Sequence, residues 1–136
     1  MDIRTHRAID SRLCGMPEEL GEGFSRVRFE ATEEMVADES RLVHGGFIFG
    51  LADHAAMLAV NHPNVVLGRA ESRFLKPVVV GDCLLADAEI LERIGNKRLV
   101  QVAVKRGEET VFDGEFLCYV LDSHVLAPIG PRESSR

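Results

Sequence analysis

The sequence predicts an α+β domain, a five-stranded antiparallel sheet wrapped around one long central helix. Three observations predict it. The stretch from Gly46 to Asn61 leaves almost no polar face, and a helix that is apolar all round is a buried helix. One alternating segment precedes that stretch and four follow it. Alternation of this kind marks strands with one buried face. Short turns join the later segments, as antiparallel neighbours require.

The elements read in order as follows. The opening residues include "CGMPEELGEG", rich in turn formers, with a short helix before Gly15. In "FSRVRFEA", Val27, Phe29 and Ala31 alternate with Arg26, Arg28 and Glu30, a strand. "ADESRLVHGG" is turn and loop. The helix from Gly46 to Asn61 is a rod of roughly 24 Å, stopped at "NHPN" because Pro63 cannot continue it. "LGRAESRFLKPVV" is a strand that ends in the turn "VGD". "CLLADAEILERI" sets Leu84, Ala86, Ala88 and Ile90 against Asp87 and Glu89. Gly95-Asn96 is a hairpin signal. Val100, Val102 and Val104 share one face of the next strand, and Phe112, Phe116, Cys118 and Val120 share one face of the last. The tail "APIGPRESSR" reads as frayed. The whole chain, 1–136, is one domain with its core at about 24–122. One sheet has a single helix to cover it, so the natural cover for the rest is a second copy. Two such subunits would set their helices side by side.

Composition excludes several classes. A net charge of −6 opposes non-specific nucleic-acid binding, which needs a basic field. No apolar run is long enough to span a bilayer. "MDIRTHRAIDSRLCG" has no apolar signal core, so the expected location is the cytoplasm. Cys14, Cys83 and Cys118 are widely and irregularly spaced, which argues against a disulfide framework and a zinc site. They read as two small buried strand residues and one N-terminal thiol.

The chemistry concentrates in "LVHGGFIFGLADHAAMLAVN", from Leu42 to Asn61. It carries His44, His54 and one carboxylate, Asp53, in apolar surroundings, where an unpartnered acid is costly. The order strand, "HGG", apolar helix with an acid nine residues after the histidine, then four strands, resembles the hotdog-fold acyl-CoA thioesterases. The pattern is most similar to the phenylacetyl-CoA-type branch, whose signature, HGG, six residues and D, reads here "HGGFIFGLAD". "RFLKPVVVGD", Arg73 to Asp82, resembles a further segment of that branch. "GRAESRFLKPVVVGD" and "GEETVFDGEFLCYV" also resemble the acyl-CoA-sensing domain of a bacterial fatty-acid-synthesis repressor, which binds thioesters without cutting them. That domain carries an uncharged amide at the place of Asp53 and lacks the glycine pair. Both features here favour the enzyme, as does the expectation that no DNA-binding module precedes the domain.

The resemblance implies thioester hydrolysis, in which charge develops on the carbonyl oxygen while a water or carboxylate attacks the carbon. Gly45 and Gly46 open the helix, where backbone N–H groups lack internal partners and the dipole is positive. Gly45 N–H is the candidate oxyanion donor, and Gly46 lets the substrate approach. Asp53 lies eight residues on, ~12 Å along a helix. Donor and attacker must both come within roughly 3–3.5 Å of one carbonyl group. One helix cannot supply both, but two helices in a dimer can, in agreement with the arrangement the resemblance implies. Asp53 is then general base toward water, or the nucleophile that gives an anhydride. A lone salt link across a dimer interface is the structural alternative for Asp53. His44 positions Gly45 or the thioester through a hydrogen bond. His54 points about 100° away from Asp53, and a His-x8-Asp-His spacing does not set three metal ligands on one face.

Two departures from the branch stand out. Its asparagine six residues before the histidine is Asp38 here, which cannot donate when ionised. Leu67 falls about where some relatives carry a serine that orients water. Arg73 and Lys76, with Arg69, Lys97, Arg98, Lys105 and Arg106, are candidates to clamp the phosphates of coenzyme A. Phe47, Ile48 and Leu51 would line the acyl pocket. The expected partners are an acyl-CoA substrate and further copies of the chain, as a dimer or a dimer of dimers, with no cofactor beyond the coenzyme A of the substrate. A non-catalytic acyl-CoA sensor is the first alternative. A hotdog dehydratase or hydratase is the second, but its His with Asp or Glu signature is absent.

Overall fold

The computed structural model describes residues 1–128. Residues 129–136, most of the tail read as frayed, lie outside them. The element order is α1 (Ser11–Cys14), β1 (Met16–Gly21), β2 (Phe24–Glu30), a 3-10 turn (Glu33–Met35), α2 (Gly45–Val60), β3 (Val65–Phe74), β4 (Cys83–Ile94), β5 (Lys97–Arg106) and β6 (Glu109–Val120). The sheet is antiparallel throughout, in the order β1-β2-β4-β5-β6-β3. Its concave face wraps α2, and this is the hotdog arrangement.

The sheet has six strands, not five. The additional one, β1, falls in the segment read as turn formers. Pro17 cannot donate to a central ladder, but β1 is an edge strand, where proline is tolerated. A register shift between Pro17 and Glu19 absorbs the irregularity.

The remaining strands follow the alternation. On β2, Ser25, Val27 and Phe29 are buried and Arg28 and Glu30 are exposed. Phe29, Phe112 and Phe116 are among the largest fully buried side chains, each contributing about 1.5–3 kcal/mol relative to exposure. Buried Ser25 donates its hydroxyl to the Ala55 carbonyl at 2.6 Å, tying the sheet to the helix. The expected hairpin at Gly95-Asn96 joins β4 to β5, with Ile94 opposite Lys97. Of the cysteines, only Cys118 is buried; Cys83, expected inside, opens β4 and is exposed, and all three thiols are free.

Helix α2 begins at Gly45, one residue before the expected start. It ends where Asn61 turns left-handed (φ 50°) and donates its N–H to the Met57 carbonyl. Burial around it is not uniform. Gly46 is exposed and Phe49, Gly50 and Asp53 are half-buried. These positions are i, i+3, i+4 and i+7, one stripe of a helix. The sheet covers that stripe less than the rest of the helix, although Phe49 still packs on Phe116 of β6. Strand β3, at one edge of the sheet, is also largely half-buried or exposed.

Candidate active site

The start of α2 is built by the loop before it. The His44 N–H donates to the Met35 carbonyl at 2.9 Å, and the Val43 N–H to the Val78 carbonyl at 2.8 Å. His44 is the helix N-cap in an extended conformation, and its side chain makes no capping bond. Its ring instead lies over Gly46, with Nε2 2.9 Å from where a Cβ would stand. The ring also meets Phe47 edge-on at 6.2 Å. Gly45 faces Phe74, whose Cε2 is 3.3 Å from the position of a Cβ there. A side chain on Gly46 would collide with the His44 ring, and one on Gly45 would press on the exposed Phe74 ring. The amides of both glycines precede the first intrahelical bond and carry the positive end of the helix dipole.

Asp53 lies further along the stripe of α2 that the sheet covers least. Its Oδ1 is buried and has no hydrogen-bond partner among the described residues. Burial pushes its carboxyl up to about 6, since removal from water disfavours the charged form. Asp53 therefore carries no salt link among the described residues. Burial, and then the charge of Asp53, push the Cys118 thiol up to about 12, so Cys118 is no thiolate nucleophile at neutral pH. Leu67 lies opposite Cys118 in the β3–β6 register, so an apolar side chain occupies the sheet beside Asp53.

His54 points the other way, as its helical phase requires. It is buried, its Nδ1 lies 3.0 Å from the Cys14 carbonyl, and burial lowers its tendency to protonate. Among the described residues no three His, Cys, Asp or Glu side chains group as metal ligands.

The other candidates separate into two groups. Phe47 and Gly46 stand with His44 and Gly45 at the helix start, and Ile48 and Leu51 are buried in the core. Asp38 is exposed, and its Oδ1 accepts the N–H groups of Ser40 at 2.9 Å and Leu42 at 3.3 Å. It shapes the loop. Arg73 makes a two-point pair with Asp113, at 2.9 and 2.7 Å. Phe74 meets core residue Phe112 edge-on across the inner face, so Arg73, the preceding residue, faces outward. Lys76 Nζ lies 4.0 Å from Glu109. Neither cation stands at the helix start. Phe74 was not singled out in the sequence, although "RFLKP" contains it; its role depends on β3 ending beside Gly45.

The thioesterase superfamily model matches residues 41–112, from the loop before α2 into β6. The chain belongs to the thioesterase superfamily. A protein of Aquifex aeolicus, methylthioribose-1-phosphate isomerase, is 51% identical over 121 residues, 89% of this chain and 26% of its own length. The transcription factor FapR of Caldanaerobacter subterraneus is 37% identical over 98 residues, 72% of this chain and 49% of its own. The chain thus spans about a quarter of the first relative and about half of the second. Among solved structures, the uncharacterized protein PH1136 from Pyrococcus horikoshii is 55% identical with a TM-score of 0.92, covering 93% of this chain and 98% of that one. No helix among the described residues is long and apolar enough to cross a membrane.

Proposed function

We propose that this superfamily member hydrolyses an acyl-CoA thioester at a site shared by two copies of the chain. One observation carries this reading. Asp53 presents a buried carboxylate oxygen without a partner, among the described residues, on the stripe of α2 that the sheet covers least. An unpartnered acid in such a place costs stability, and a reaction that uses it is a reason to keep it. The Gly45 amide, ~12 Å away on the same helix, is out of reach of any carbonyl that Asp53 attacks. Antiparallel apposition of two α2 stripes brings Gly45 of one copy to Asp53 of the other. The edge of β3 is free to pair with its own copy in the same dimer.

In this site the thioester oxygen accepts from Gly45 N–H as it gains charge. Asp53, ionised, takes the proton of a water whose oxygen bonds to the carbon, or attacks the carbon itself to give an anhydride that water then cleaves. In either case the C–S bond breaks as the tetrahedral centre collapses, and coenzyme A leaves as a thiolate that takes up a proton. The His44 ring over Gly46 and the Phe74 ring against Gly45 border the glycine pair. The spacing of "HGGFIFGLAD" supports placement in the phenylacetyl-CoA-type branch.

A second reading, acyl-CoA binding without turnover, is favoured by the likeness to the transcription factor FapR and by Asp38, whose carboxylate is bound to loop amides. Release of free thiol from a panel of acyl-CoA esters decides between them. The hydrolase reading expects turnover that falls about 100-fold or more in Asp53→Asn. Saturable binding without thiol release in the wild type would establish the sensor instead.

A further inference from the structure

Among the described arginines, Arg4, Arg7, Arg93 and Arg98 make no ion pair, and of these only Arg4 and Arg7 line a common cleft. In a chain of net charge −6, Arg12, Arg26, Arg28, Arg41, Arg73 and Arg106 are each paired with a carboxylate. Arg4 and Arg7 have no ion pair among the described residues, and both are exposed. They line a cleft of about 430 Å³ with Thr5, His6, Pro63, Asn64, Val65, Val66, His124 and Val125. No carboxylate lines it.

The cleft is held in shape from beneath. Buried Asn61, the left-handed cap of α2, accepts the Arg4 N–H at 2.8 Å through Oδ1 and donates through Nδ2 to the Asp2 carbonyl at 2.8 Å. The N-terminal segment is therefore pinned across the end of the helix. His6 adopts a left-handed backbone (φ 52°), with its Nδ1 2.8 Å from the Thr5 hydroxyl. His124 Nδ1 accepts the Leu126 N–H at 3.0 Å, so its Nε2 carries the proton and can donate. Two guanidiniums and an imidazole donor thus flank a floor that includes Pro63, Val66 and Val125. Guanidinium forks match phosphate oxygens, and an apolar floor suits a purine.

We infer that this cleft binds the phosphorylated adenine nucleotide that forms the head of coenzyme A. The cationic site is shown by the residues themselves; its assignment to coenzyme A rests on the thioester reading above. Placement supports that assignment. The cleft includes Val65 and Val66, the start of β3, and lies at the end of α2 remote from its own Gly45. Antiparallel pairing of two β3 edges about their centres sets Val65 near the partner subunit's Phe74, beside the proposed oxyanion site. The nucleotide end of the substrate would then rest on one copy while its carbonyl meets the helix start of the other. Arg73 and Lys76, the candidates from sequence, face carboxylates instead.

Calorimetric titration of the full chain with coenzyme A, adenosine 3′,5′-bisphosphate, ATP and pantetheine tests this. The wild type is expected to bind coenzyme A and the bisphosphate, and pantetheine far more weakly. Arg4→Ala/Arg7→Ala should weaken the first two roughly tenfold or more, with an unshifted melting temperature. Arg4→Glu/Arg7→Glu should weaken them further. Coenzyme A affinity within twofold of wild type in the double alanine variant overturns the proposal, and so does ATP binding as tight as that of the bisphosphate. Bisphosphate binding that the variant loses, in a wild type that hydrolyses no thioester, supports the cleft and rejects the hydrolase.

Discussion

The ring of Phe74 lies against the first residue of α2, with its Cε2 3.3 Å from where a Cβ on Gly45 would stand. The same ring meets Phe112 edge-on at 5.0 Å, yet is 57% exposed. In the proposed site this exposed ring would form a wall beside the unbonded helix-start amides. Gly45→Ala should therefore lower kcat/KM while leaving or raising the melting temperature, because alanine favours a helix over glycine by about 1 kcal/mol. Combining it with Phe74→Ala frees the space and should recover part of the loss if crowding caused it. Steady-state kinetics and melting curves of the two single variants and the double check this.

Gly45 is also the first helical position after the His44 cap, where proline is tolerated because its missing N–H has no helical partner. His44 has ψ of 130°, as a residue before proline prefers. Gly45→Pro thus deletes the proposed oxyanion donor with little demand on the backbone. The expected result is a folded protein whose kcat falls about 100-fold or more, measured beside its circular-dichroism melt.

The Asp53 carboxyl, pushed up to about 6 by burial, makes stability depend on pH. A carboxyl raised by folding contributes stability at low pH and loses it as pH rises through the folded value. Between the ordinary carboxylate range and about pH 6, Asp53 ionises at a cost on the order of 2–3 kcal/mol. Asp53→Asn should melt several degrees above wild type at pH 8, with the advantage shrinking toward pH 4. Paired melts across that range check the sign. The catalytic counterpart is opposite: kcat/KM should rise with pH through about 6, as the ionised carboxylate forms.

Arg73 faces Asp113 on the outer side of the sheet. Arg73→Ala should leave the KM for an acyl-CoA within twofold and barely move the melting temperature, because an exposed ion pair adds little to stability. A large rise in KM would return Arg73 to the phosphate clamp.

Local patterns made much of this fold legible. Alternation placed β2 and β4 to β6, and Gly95-Asn96 placed the hairpin between β4 and β5. What failed was decided by distant partners. Arg73 looked free for phosphate because Asp113 is 40 residues away, and only the β3–β6 register brings them together. Arg4 and Arg7 drew no notice because the bond that pins their segment comes from Asn61, 57 residues on from Arg4. Strand β1 was hidden by Pro17, which marks a turn unless the strand is known to be an edge. Asp53 and the glycine pair stood out for a different reason: an acid amid apolar residues violates a local rule, and such violations gather at functional sites.

The shared site is tested most directly by mixing inactive chains. Gly45→Pro and Asp53→Asn are purified separately, co-unfolded, refolded together and assayed for thioester hydrolysis. In a hybrid dimer one of the two sites pairs an intact Gly45 with an intact Asp53, so random mixing should restore about a quarter of wild-type activity. No recovery in a mixture proven to contain hybrid dimers, or full wild-type activity from a monomer, would contradict a site built by two copies.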